Sequence, residues 1–212
     1  MTLLRTGAIF AILVSGGIST ASGDASDFFP TNLGAHWEFK GAAGATQLNM
    51  TATITSSKKQ DGKTVVNVRW TQNGQITQDE VYSVSPTEVA RSSAGAKGAI
   101  VSTPPVPVIK FPLTIGKTWK WKGNVSSAGS KYEAQADLKV AALETLKTAA
   151  GTLKAFRVDM SLSTVVEGKP VNAVNSYWFA GGVGLVKQQA TINVPGGQKI
   201  VIGATVTKYK IK

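Results

Sequence analysis

The stretch Phe29-Pro30-Thr31-Asn32-Leu33-Gly34-Ala35-His36-Trp37-Glu38-Phe39-Lys40-Gly41 returns 82 residues later as Phe111-Pro112-Leu113-Thr114-Ile115-Gly116-Lys117-Thr118-Trp119-Lys120-Trp121-Lys122-Gly123. Six of the thirteen positions are identical, and two more exchange Leu33 for Ile115 and Phe39 for Trp121. Order is kept beyond these words. Asn73-Gly74 finds a counterpart in Glu167-Gly168, and residues 82–91 find theirs in 178–187, at offsets of 94 and 96. A long word repeated in register predicts a tandem duplication.

Each half reads as a meander of strands. Leu48, Met50, Ala52 and Ile54 alternate with Asn49, Thr51, Thr53 and Thr55 until Gln60-Asp61-Gly62, the pattern of a half-buried strand that ends in a hairpin. Val66, Val68 and Trp70 alternate in the same way, Asn73-Gly74 turns the chain, and residues 76–84 return. In the second half Tyr132, Ala134, Ala136, Leu138 and Val140 alternate with Lys131, Glu133, Gln135, Asp137 and Lys139. The Ala, Leu, Glu and Lys content of residues 134–150 also suits a helix, but the alternation and the Ala149-Ala150-Gly151-Thr152 turn favour a strand. Phe156 to Leu162, then residues 171–179, 183–194 and 199–211, complete the set, with turns at 167–170 and Pro195-Gly196-Gly197. Val and Thr, 22 each among 212 residues, fit an all-β chain.

Between the halves the texture changes. Residues 92–99 are small and flexible, and Thr103-Pro104-Pro105-Val106-Pro107 is stiff. The division is therefore a signal peptide over 1–21, a first repeat over 22–93, a linker or crossover over 94–110 and a second repeat over 111–212. Two separate sheets of this size would have thin cores and exposed edges. The expected fold is one all-β domain: about eleven antiparallel strands in a curved open half-barrel or sandwich, built from two tandem meander repeats.

Arg5, the apolar run from Ala8 to Val14, and small residues through Ala21 form an export signal, with cleavage after Ala21 or Gly23. The apolar run stops well short of the roughly 20 residues a membrane helix needs, so no transmembrane span is expected in the mature chain and its address is periplasmic or secreted. Loss of Arg5 leaves 22 basic against 12 acidic residues, a net +10 that attracts anionic surfaces. Nineteen of these 22 are Lys and only Arg69, Arg91 and Arg157 are Arg, which disfavours nucleic acid and favours envelope polyanions.

Catalytic chemistry is scarce. There is no Cys and one His, which excludes disulfides, thiolate sites and most zinc centres, so no metal and no cofactor is expected. His36 lacks a nucleophile-elbow partner and reads as a surface or capping residue. Asp79 and Glu80 are adjacent on a strand and face opposite ways, and Glu133 and Asp137 are too far apart for a glycosidase pair. Gly181-Gly182-Val183-Gly184 is a turn without the context of a phosphate loop.

What remains is aromatic and basic surface. In Trp119-Lys120-Trp121-Lys122 both indoles share one face and both amines the other, and Lys208-Tyr209-Lys210 repeats the arrangement. One reading is an apolar core face backed by solvated lysines. The other places Trp37, Phe39, Trp119 and Trp121 around an apolar ligand or lipid, with Lys120, Lys122, Lys208 and Lys210 on its acidic group or on an anionic envelope surface.

Three segments, residues 111–121, Glu144 to Phe156 (ETLKTAAGTLKAF) and Tyr177 to Lys187 (YWFAGGVGLVK), resemble the signatures of an uncharacterised family of bacterial exported β-domains. The resemblance covers about 80 residues of the second repeat. It implies a periplasmic or surface-anchored protein, similar in fold to the open barrels that carry lipoproteins, and no known catalytic residues. Lipoprotein members carry a Cys after the signal, which this chain lacks.

Three function classes follow. The first is a non-enzymatic exported binding module, with lipid, an anionic envelope polymer or an envelope protein as partner. The second is a purely structural or interaction domain of the envelope, and the third a carboxylate-dependent hydrolase. An open cavity of a few hundred Å3 on the aromatic face would favour the first, and a face filled by its own side chains the second.

Overall fold

The computed structural model describes residues 20–21, 23–166, 168–193 and 199–211. Residues 1–19 of the signal peptide expected over 1–21, and the turn expected at 195–197, lie outside the described residues. Twelve strands run in chain order: β1 His36–Ala43, β2 Thr46–Gln60, β3 Lys63–Gln72, β4 Gln75–Val84, β5 Glu88–Ala94, β6 Ile100–Lys110, β7 Thr118–Ser127, β8 Ser130–Thr148, β9 Gly151–Val166, β10 Lys169–Ala180, β11 Gly184–Asn193 and β12 Lys199–Lys210. Each pairs with its neighbours in sequence, antiparallel throughout, and β1 pairs with β12 from His36↔Lys210 to Ala43↔Ile202. The sheet is thus a closed barrel.

Closure corrects the expected open half-barrel or sandwich, and twelve strands replace about eleven. The two chain ends carry complementary edges, and pairing them removes both exposed edges at once. The extra strand is β6, inside the stretch read as linker or crossover. Proline is disfavoured in a central strand because it cannot donate to the ladder. Here the ladder adapts: β6 pairs with β7 only over Ile100–Thr103, and with β5 through two register shifts. The ambiguous stretch 134–150 falls mostly within strand β8.

The repeated words lead into β1 and β7, six strands apart in the barrel. Their last glycines have a common packing role. A Cβ at Gly123 would lie 2.6 Å from the Thr103 carbonyl oxygen, and one at Gly41 would overlap the Gly203 carbonyl oxygen. Both neighbouring strands approach through the space that the missing side chain leaves.

A barrel's diameter grows with strand number, and about eight strands already enclose as much as wall side chains can fill. Twelve strands need extra filling, and only one end receives it. There the 3-10 turn Ala25–Phe28 lies across the mouth, held by Ala25 N–H to the Pro86 carbonyl (2.8 Å) and Gly182 N–H to the Asp27 carbonyl (2.7 Å). Phe28 packs against Phe111 and Phe156, with ring centroids 5.8 and 5.9 Å away, and Phe29 against Tyr82 at 4.7 Å. Val89, Ile109, Leu113, Val140 and Val158 are fully buried beneath this plug. At the opposite end, the inward-facing Val125, Tyr132, Leu162, Ala173, Asn175, Gln188 and Ile202 are only half-buried. Among the described residues no helix is long and apolar enough to cross a membrane.

Candidate functional site

The alternation of β4 puts Glu80 and Tyr82 inside the barrel and Asp79 outside, where Asp79 meets Arg69 at 2.8 Å. Glu80 is 4% exposed, the one buried charged side chain among the described residues. Three donors hold it. Trp70 Nε1–H donates to Oε2 at 2.7 Å, the Tyr82 hydroxyl to the same oxygen at 2.9 Å, and Arg91 Nη1–H to Oε1 at 3.0 Å. Burying a carboxylate is costly unless it is paired and hydrogen-bonded, and here both conditions are met.

Arg91, on β5, points into the barrel, and its positive charge acts on the phenol of Tyr177 on β10. Burial, and then the Glu80 charge, push the Tyr82 phenol well above its usual range. Burial raises Tyr177 as well, with Arg91 opposing. Both phenols therefore stay protonated at neutral pH. The result is a polar layer, Trp70-Glu80-Tyr82-Arg91-Tyr177, inside the barrel. Toward the plug it borders a cavity of about 30 Å3 lined by Phe29, Trp37, Phe39, Trp70, Glu80 and Tyr82 among others, room for little more than a water molecule.

The four aromatic residues read from the sequence all point inward and are buried: Trp37 7%, Phe39 2%, Trp119 8% and Trp121 5% exposed. They do not form one surface. Trp37 and Phe39 lie on β1, with Phe39 against Trp70 at 5.3 Å, whereas Trp119 and Trp121 lie on β7. Each indole N–H of the three tryptophans is spent on a backbone carbonyl: Trp37 on Val183 (2.7 Å), Trp119 on Pro107 (2.7 Å) and Trp121 on Pro104 (3.0 Å). The last two bridge the part of the β6–β7 boundary where no strand ladder forms.

The lysines occupy two opposite outer walls. Lys208 and Lys210 flank β1, with Lys208 3.4 Å from Glu38, and Lys120 and Lys122 lie on β7, with Lys120 2.9 Å from Asp137. A wall that is apolar within and lysine-rich without has the reverse polarity of a membrane-spanning barrel. His36 also faces outward, its Nδ1 2.8 Å from the Thr53 hydroxyl. Among the described residues no group of three His, Asp or Glu is placed to hold a metal ion.

A second polar cluster sits outside the wall. Arg157 Nη1–H donates to Glu144 at 2.7 Å, Trp178 Nε1–H to the same carboxylate at 2.8 Å, and Lys187 Nζ stands 4.3 Å from the Trp178 ring centroid. Arg157 Nε lies 3.2 Å from Asp159 but off the hydrogen-bond line. Apart from Arg157 Nε, these groups are paired with one another.

Sequence reasoning missed Glu80, Arg91, Tyr82 and Tyr177 as a unit. In the sequence Glu80 stands out only as the neighbour of Asp79. Its usable signal was parity: it shares a strand face with Tyr82 and Val84.

Residues 122–192, from β7 to β11, match a protein family described as DUF3108-like. Two of the three sequence segments quoted above fall inside that span. No curated protein matches the chain. Among solved structures, a candidate lipoprotein of Parabacteroides distasonis is similar at a TM-score of 0.58 and 13% identity, over 86% of this chain and 98% of that one. A candidate exported protein with a YmcC-like fold from Bacteroides fragilis is 12% identical at a TM-score of 0.49, over 86% of this chain and 98% of that one. The hypothetical lipoprotein YmcC from Escherichia coli is 12% identical at 0.38, over 83% and 88%. At such identities the Parabacteroides structure speaks for a shared all-β fold across nearly the whole chain, and for nothing more.

Proposed function

We propose that this chain is an exported, non-enzymatic binding barrel of the bacterial envelope, and that its ligand, an apolar molecule with an acidic group, enters through the unplugged end. The carrying observation is the contrast between the two ends: inward-facing side chains are fully buried under the Phe28 plug and half-buried at the other mouth. The likeness to the candidate lipoprotein of Parabacteroides distasonis supports the envelope address, as does the export signal read from the N-terminal sequence. In this reading Trp37, Phe39, Trp119 and Trp121 build the packed wall above the ligand. Lys120, Lys122, Lys208 and Lys210 attract anionic envelope surfaces from outside. The second reading, a structural or interaction domain, draws on the near-complete filling of the aromatic region, whose cavity is only about 30 Å3.

The test is to purify the exported protein without detergent, extract it with organic solvent and titrate the emptied protein with an anionic naphthalene fluorophore. The binding reading predicts a stoichiometric amphiphile in the extract and saturable fluorophore binding. An empty extract together with non-saturable binding would leave the structural reading.

A further inference from the structure

Arg91 offers more hydrogen-bond capacity than the protein uses. A guanidinium has five N–H donors, and among the described residues only Nη1 makes a well-aligned hydrogen bond, to Glu80. The other Arg91 nitrogens are not sealed off. Among the described residues the one fully buried side-chain polar atom without a partner is Arg157 Nε, and the Arg91 side chain is 23% exposed against 5% for Glu80. Arg91 points inward, across β5 from Tyr82 and Val106, so the solvent reaching it is solvent inside the barrel.

We infer that the Nε and Nη2 edge of Arg91, with the Tyr177 hydroxyl beside it, is the head-group site for a carboxylate on an apolar ligand. This rests on the binding reading above and names the chemistry of the same lumen. The Nε/Nη2 edge is the planar fork that takes a carboxylate through two parallel N–H···O bonds. Tyr177, held protonated by burial, supplies a further donor. Glu80 does not cancel the site. Its charge is shared among the Trp70 indole, the Tyr82 hydroxyl and one guanidinium nitrogen, which leaves the far edge of Arg91 electropositive. Toward the unplugged end the wall combines the half-buried apolar Val125, Leu162, Ala173 and Ile202 with the inward-facing amides Asn175 and Gln188, and an alkyl chain behind the carboxylate would lie along the apolar part. The net +10 of the mature chain favours the approach of an anion.

The experiment is calorimetric titration of the full-length mature protein with octanoate, octanol and octylamine, repeated on Arg91→Lys, Tyr177→Phe and the charge-neutral pair Arg91→Gln/Glu80→Gln. Folding of each variant is checked by circular dichroism. The head-group assignment predicts octanoate binding at least about tenfold tighter than octanol. It predicts no binding of octylamine, a loss of about tenfold or more for octanoate in Arg91→Lys, where the charge stays but the fork is gone, and a smaller loss in Tyr177→Phe. Octanoate and octanol of equal affinity would overturn the Arg91 assignment and leave the lumen as an apolar site. Binding of none of the three would overturn the lumen itself. The double variant guards against misfolding by Arg91→Lys, since an unchanged octanoate affinity in the folded pair also overturns the assignment.

Discussion

Glu80 shows how much a single inward position can decide. A carboxylate placed by strand parity on the core face survives there because Trp70, Tyr82 and Arg91 converge on its two oxygens. Glu80→Gln keeps an acceptor for the indole and phenol but strips Arg91 of its counter-charge. The expected cost is roughly 2–4 kcal/mol, below the ~3–5 kcal/mol of a fully sealed pair because Arg91 still touches solvent. Urea unfolding of the variant against the parent measures it, and a change under about 0.5 kcal/mol would mean that Arg91 is already well solvated. In the sequence, Asp79 and Glu80 could be assigned to opposite faces but not to inside and outside. Val81 and Ser83 on the Asp79 face and Gln78, Tyr82 and Val84 on the Glu80 face tilt the balance toward Glu80 inside only slightly.

At the scale of elements, the boundary between β6 and β7 is the unusual joint. Strand pairing stops after Thr103↔Asn124, and Trp119 and Trp121 reach across with indole N–H groups to carbonyls of the proline-bearing strand. The two bonds are not equivalent, because Pro107 is buried and Pro104 is exposed. Trp119→Phe strands a carbonyl that water does not reach and is expected to cost about 1–3 kcal/mol, whereas Trp121→Phe lets water replace the indole and costs about 1 kcal/mol or less in hydrogen bonding. Urea midpoints of the two variants test the order, and equal losses would refute it. The inward face of Trp119 and Trp121 was legible from the Trp-Lys-Trp-Lys alternation. Their hydrogen-bonding use was not, since it depends on a proline-rich strand that composition marks as a linker. β8 was legible because its alternation outweighs its helical composition once a neighbour on each side can pair.

For the whole molecule, local pattern carried the reading as far as antiparallel meanders and no further. Alternation specifies which face of each strand is apolar, but closure depends on the pairing of β1 with β12, across nearly the full chain length. Nothing in either strand alone announces that contact. Closing twelve strands then creates a problem of volume that an open half-barrel would not have. The N-terminal plug solves it at one end and leaves the other to solvent or ligand. The two halves of the interior therefore differ in access. The chain has no cysteine, so single thiols can report on that directly. Leu162→Cys, Ala173→Cys and Ile202→Cys on the unplugged side, with Val140→Cys and Val158→Cys under the plug, would be treated with a charged methanethiosulfonate under native conditions. The first three are expected to react within seconds and the last two only at the rate of unfolding; protection of all five would show a barrel sealed at both ends and contradict the account.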